Sequence, residues 1–224
     1  QQALAQRYRI SGIPAVKAFY KGRVVNEFVG ARDPRFVATF LDSLQPSPGQ
    51  EAMEHATALL SERDYDGAVA LLKPLIDGGD SKLEPEKRDQ IRLMLAEVYM
   101  ARGPQFYAEV GPLLEGLDAR SQEAERAELL RQVLDFFKVA EEASGDEEAR
   151  LSDEKDAAAR YILAAKKARG GEYGAAFKHL LWLVTNNRKF RDDAGRRAML
   201  ALFQYLGSDQ EEVHEYRRRL QVIL

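Results

Sequence analysis

The residue types that most often carry catalysis are sparse in this chain. It has no cysteine, which excludes disulfides, thiolate zinc sites and thiol nucleophiles within these residues. The three histidines, His55, His179 and His214, lack the i, i+4 spacing of a helical metal site. There is no Walker loop, GxGxxG or GxSxG; "GGDSK" at 78–82 and "DYDG" at 64–67 lack the rest of a phosphate or calcium loop. Carboxylates are abundant, but no pair stands apart from the charged faces of helices. The expectation is no cofactor, no metal and no enzyme active site contained in these residues.

What remains is recognition chemistry. The stretch "SGIPAVKAFYKGRVVNEFVGA", residues 11–31, reads as a turn, a strand, a Lys21-Gly22 turn and a second strand. Apolar residues fall on both faces of the first strand, Val16, Ala18 and Tyr20 against Ala15 and Phe19, so it reads as covered on two sides. Pro14 sits at that strand's mouth. A cis bond at Ile13-Pro14 would leave backbone groups free to dock an extended polypeptide; a plain strand-opening proline is the other reading. In "DPRFVATFLDSL" Asp33 and Pro34 predict the cap and first residue of a helix. One hairpin and one helix cannot cover both faces of a strand, so the pattern calls for a completing element, and the chain reads as a fragment of a longer protein.

Farther along, aromatic residues exceed what helix packing alone requires. Most are core by spacing, but Trp182 and Phe190 are candidates for a groove that takes apolar client segments. At the end, "EYRRRLQVIL" combines three arginines with an apolar tail. Tyr216, Arg217, Arg218 and Leu220 there are candidate partner contacts; the plainer reading sets the arginines against the negative end of the last helix dipole.

These residues need elements to position them. "QPSPGQ" at 45–50 is a Pro/Gly/Ser hinge. It divides a segment 1–45, hinge 46–50 and a helical region 51–224. Helices are expected near 50–62, 65–77, 85–102, 104–117, 121–143, 153–170, 173–186, 192–206 and 209–223. Asp192 or Asp193 would cap the eighth and Gly207 stop it, while Ser208 and Glu211 form a capping-box pattern for the last. Ala56, Ala96 and Ala164 are each followed twelve residues later by Ala68, Ala108 and Ala176. Tyr65 matches Tyr173, Leu72 matches Leu180 and Leu75 matches Leu183. Small residues at a helix crossing with a tyrosine in the corner are the helix–turn–helix pattern of tetratricopeptide repeats. Three alanine pairs in an alanine-rich chain can also arise by chance. The acidic run at 141–156, with eight acidic and two basic residues, reads as a solvated connection, or as a contact for a basic partner.

A net charge of −3 gives no basic excess for nucleic acid, and no apolar run approaches a membrane span. "LAQRYRISGIPAVKAFYKGRVVNEFVGA" is similar to thioredoxin from the helix before its cis proline onward. Joined to the repeats, and with "GEYGAAFKHLLWLV" and "NNRKFRDDAGRRAMLALFQYLGSDQEEVHEYRRRL", the chain resembles the YbbN-type chaperedoxins, bacterial thioredoxin-like co-chaperones of the stress response. The fold implied is mainly α, a tetratricopeptide-like array preceded by the β-β-α second half of a thioredoxin-like domain. The resemblance implies a cytoplasmic protein that holds unfolded or oxidation-sensitive clients and passes them to the chaperonin. The expectation is a non-enzymatic protein that binds clients and partners with the repeat array as its main platform, without nucleotide or metal. Only Ile13 and Pro14 carry over as client-binding residues, because the redox motif itself is absent. The rival readings are a thiol-disulfide oxidoreductase whose cysteines lie upstream, and a repeat scaffold for one folded partner.

Overall fold

The computed structural model describes residues 2–20, 22–44, 48–78, 83–151 and 156–223. The chain divides into two compact units, Gln1–Glu54 and His55–Leu224. The described residues form a mainly α structure of twelve α-helices with one two-stranded antiparallel sheet.

The first unit opens with α1 (Gln2–Arg7), followed by β1 (Ala15–Tyr20), β2 (Arg23–Val29) and α2 (Pro34–Asp42). β1 and β2 pair from Ala15↔Val29 to Tyr20↔Arg23. Ala18 faces Asn26 while Phe19 faces Val24, so Val25 is an extra residue in β2 that bulges the ladder. Gly22, at φ 80°, takes the positive φ that the tight turn requires; Lys21 lies outside the described residues. Ile13-Pro14 is cis, and the Pro14 carbonyl accepts from Gly30 N–H at 2.8 Å. The Asp33 carboxylate caps α2, accepting from Arg35 N at 2.9 Å and Phe36 N at 3.0 Å, with Pro34 at the first helical position.

Aromatic contacts make most of the packing in this unit. Phe28 of β2 meets the edges of Phe36 and Phe40 at 5.3 and 4.9 Å, and Phe40 is buried. The two-sided cover expected of β1 is not present among the described residues: Val16 and Phe19 are exposed. Only two strands and short helices are available, which is too little to wrap both faces.

The helix α3 (Pro48–Ser61) crosses the division between the units. The second part of the expected hinge, 48–50, is therefore helical; residues 46 and 47 lie outside the described residues. The second unit continues with α4 (Tyr65–Asp77), α5 (Pro85–Arg102), a 3-10 turn (Pro104–Phe106), α6 (Tyr107–Glu115) and α7 (Ala124–Lys138). A second 3-10 turn (Val139–Glu142), α8 (Glu147–Arg150), α9 (Ala157–Arg169), α10 (Tyr173–Asn186), α11 (Ala194–Leu206) and α12 (Glu211–Ile223) complete it.

Sequential helices pack as neighbours: α4 on α5, α5 on α6, α9 on α10, α10 on α11 and α12. The paired alanines explain how. Ala164 and Ala176 are wholly buried where α9 packs on α10, a crossing that a larger side chain would hold apart; Ala56 and Ala68 are wholly buried as well. Ala96 is buried as well, but its partner Ala108 is exposed. The break at Gly103-Pro104 shifts the start of α6, and Val110 and Leu114 take the buried positions instead. The helix α7 holds the middle of the unit, against α5, α6, α9 and α11. Its Leu129, Leu130, Val133, Leu134, Phe136 and Phe137 are all buried, as befits a helix that is apolar around most of its circumference.

Three local expectations change. The long helix at 121–143 is α7 plus a 3-10 turn. Neither Asp192 nor Asp193 caps α11: Arg191, Asp192 and Asp193 are all left-handed, at φ 43°, 56° and 58°, and Asp193 makes no side-chain cap bond. That conformation turns its carboxylate away from the first amides, toward Arg196 Nη1 at 3.6 Å. Ser208 lies two residues early for a capping box, because the Gln210 carbonyl accepts the first helical bond of α12, from His214 N–H at 3.2 Å.

The acidic run is only partly a solvated connection. Glu147 is 1% exposed and accepts from Ser144 N at 2.5 Å, Gly145 N at 3.1 Å and Ser144 Oγ at 3.1 Å. Lys166 Nζ approaches its other oxygen at 3.4 Å. Burial pushes the carboxyl up, but the hydrogen bonds from Ser144 and Gly145 outweigh it and hold it at about 2. A buried anion is tolerated because it satisfies the turn that leads into α8.

Candidate functional site

Two surfaces could bind a polypeptide, one in each unit. In the first, Ile13 is 90% exposed and Pro14 beside it is exposed too. Phe19 and Val25, each 51% exposed, together with Val16 and Val29, leave apolar area of the hairpin in water. Tyr8 touches the edge of Phe19 at 5.1 Å without covering it.

In the second unit a cavity of about 620 Å³ opens between α7 and α11, with Phe136 and Tyr161 among its walls. Arg191 stands in its lining and is fixed rather than free. Its Nη1 and Nη2 donate to the two Glu142 oxygens at 3.2 and 2.8 Å, a forked pair of good geometry. The guanidinium also lies 5.7 Å from the Tyr161 ring and 5.5 Å from the Phe190 ring. The hydrogen bond from Arg191 holds the Glu142 carboxyl below the ordinary value, and burial pushes the Tyr161 phenol up. Glu128 and Asp135 line the cavity from α7, and Arg197 and Leu200 from α11, so the walls carry opposite charges over an apolar floor.

Of the sequence candidates, Phe190 meets Tyr161 edge-on at 5.6 Å and is half-buried beside this cavity. Trp182, in α10, is half-buried under the guanidinium of Arg160. Tyr216 and Leu220 face inward; Tyr216 packs on Phe177 at 5.3 Å. They hold α12 in place and offer little free surface. Arg217 and Arg218 stay on its outer face, and Val222 beyond them is 88% exposed. The arginines fall short of the last turn of α12.

Sequence reasoning missed Arg191, Glu142 and Tyr161 as a group. They lie far apart in the chain, and nothing in "FRDDAG" signals three left-handed residues in a row. The repeat pattern gives Tyr173 a corner position, but nothing in the sequence signals how the phenols of Tyr107, Tyr173 and Tyr205 are buried. Burial pushes Tyr107 up to about 12 and raises the other two as well, so all three remain neutral donors at ordinary pH. No group of His, Cys, Asp and Glu among the described residues could hold a metal ion, and no helix there is long and apolar enough to cross a membrane.

A family model described as a tetratricopeptide repeat matches residues 145–224, the stretch that contains α8 to α12. No curated protein matches the chain. The chain thus carries tetratricopeptide-type repeats, an architecture that serves protein–protein interaction.

Proposed function

We propose that the protein is a non-enzymatic, client-holding co-chaperone that buries the exposed apolar segments of unfolded polypeptides. The observation that carries this reading is the apolar surface of the first unit, centred on Ile13, Phe19 and Val25. Several large apolar side chains left exposed on so small a unit mark an interaction site. An extended client can add main-chain hydrogen bonds at an open strand edge while its side chains meet this surface. The repeat region supplies a second platform, for a partner that receives the client. The similarity to chaperedoxins extends the reading to oxidation-sensitive clients and to the chaperonin as receiving partner. These residues supply none of the thiol chemistry in that role, because no cysteine is among them.

The test is light scattering from a chemically unfolded client on dilution. A stoichiometric amount of the protein is expected to suppress aggregation, and Ile13→Asp combined with Phe19→Asp to abolish most of the effect. Unchanged scattering across an excess of protein would end the client-holding reading. Recovery of one folded protein in fixed stoichiometry from a pull-down, with no effect on aggregation, would favour a scaffold for a single partner.

A further inference from the structure

The protein has a single tryptophan, Trp182, and its surroundings are chemically unusual. The Arg160 guanidinium lies 4.0 Å from the ring centroid. Stacked in this way, an arginine keeps its planar fork oriented, with edge N–H groups free to meet an acceptor. Arg150, Arg169, Arg188, Arg191, Arg196 and Arg197 each pair with a carboxylate. Arg160 makes no ion pair among the described residues, and its Nε is buried without a partner.

One turn before Trp182 on α10, His179 Nδ1 is also buried and unpartnered. Unmade hydrogen bonds at buried polar atoms are costly, and the Arg160 charge acts on the His179 imidazole, so the two groups share a neighbourhood suited to a hydrogen-bonding partner. The charged groups around the imidazole are Glu148 on α8, Arg160 and Lys167 on α9, and Lys178 on α10. Lys167 is already held by both oxygens of Glu172, at 3.1 and 3.0 Å. Among the described groups Arg160 and Lys178 outnumber Glu148, so the local excess is one positive charge, on a protein whose net charge is −3.

We infer that this face of α9 and α10 recognises a glutamate side chain of a partner polypeptide, with Arg160 as its ion-pair donor and Trp182 as the platform for its methylenes. Charge complementarity selects the carboxylate. The half-buried indole selects a group with an apolar stem over a bare anion. His179 then serves as a positioning residue. Burial, together with Arg160, Lys178 and Lys167, holds its pKa below the ordinary value. A bound carboxylate works the other way and favours the imidazolium, so binding strengthens as pH falls below neutrality. The inference does not depend on the client-holding role.

Trp182 makes the test direct, since its fluorescence reports on this site alone. The full chain is titrated with a capped, tryptophan-free peptide Ala-Glu-Leu-Ala, with its glutamine counterpart and with sodium acetate. A saturable fluorescence change is expected with the glutamate peptide, weakened by salt. Arg160→Gln is expected to weaken it roughly 10-fold to 100-fold, the range of one charge-assisted hydrogen bond. Lys178→Gln, on an exposed side chain, should weaken it a few-fold without disturbing the fold. His179→Gln should flatten the pH dependence while leaving the salt dependence in place. Equal titration by the glutamine peptide, an equal response to acetate, unchanged affinity in Arg160→Gln, or the absence of a saturable change would each overturn the assignment.

Discussion

Gly195 allows the helix crossing between α10 and α11 to be tested by a single methyl group. A Cβ added there would lie 2.9 Å from Leu183 Cβ, 3.1 Å from the Leu180 carbonyl oxygen and 3.5 Å from Val184 Cγ2. Two of these atoms are close to or part of the α10 backbone, so relief requires a shift of the helix rather than of a side-chain tip. Non-bonded carbons prefer about 3.5–4.0 Å, and overpacking a well-packed crossing costs about 1–3 kcal/mol. Against this, alanine in place of glycine favours a helix by about 1 kcal/mol. The balance for Gly195→Ala is a loss on the order of 1 kcal/mol. Gly111, inside α6, is the internal contrast: outside its own chain neighbours an added Cβ meets nothing within 4 Å, although Pro112 follows it and trims the gain. Gly111→Ala should therefore gain about 0.5–1 kcal/mol. Denaturant unfolding with unchanged slope reads both. Opposite signs are expected; a stabilised Gly195→Ala would refute the close approach of α10 and α11 on which the repeat packing rests.

Removing Phe137, buried between Tyr107 at 5.5 Å and Tyr205 at 6.4 Å, should cost about 3–5 kcal/mol as Phe137→Ala, measured by the same unfolding curves. Asp89 is 6% exposed and accepts from Asp118 N–H at 3.1 Å; Asp89→Ala should cost about 1–3 kcal/mol and speed hydrogen exchange at the Asp118 amide. Glu147 binds its proton less readily folded than unfolded, so its contribution is complete above pH 4.5 and is lost as pH falls toward about 2. An acid titration of stability should show that limb in the wild type and a flatter one in Glu147→Gln. Tyr107 has the opposite linkage, since its phenol rises from 10.0 to about 12; ultraviolet titration of the folded protein should show late-ionising tyrosine and stability falling above pH 10.

Much of the fold was legible because it is local. Helix periodicity placed α4, α5 and α10 at their observed bounds, and Asp33-Pro34 marked the start of α2. The alanine pairs pointed to helix crossings through a simple steric rule. The same rule missed at Ala108, where Gly103-Pro104 moves the helix start and so rotates the buried face. Less of the binding surfaces could be read. Trp182 was singled out as an aromatic, but its partner Arg160 lies on another helix with no sequence mark to join them. The cavity between α7 and α11 likewise depends on Phe136, Tyr161 and Arg191 meeting in space. Glu147 looked like one more acid in a charged run, because periodicity cannot distinguish a solvated carboxylate from one that caps a turn. Tyr216 and Leu220 have the chemistry of partner contacts, but they lie on the apolar face of α12 and are buried.

Hydrogen exchange of the full chain with and without a chemically unfolded client tests the proposal that unfolded polypeptides bind at the hairpin of the first unit. Slowed exchange across β1 and β2, from Ala15 to Val29, is the expected result, and it should disappear with Ile13→Asp and Phe19→Asp together. Unchanged exchange in this hairpin while a client is demonstrably bound would contradict the claim.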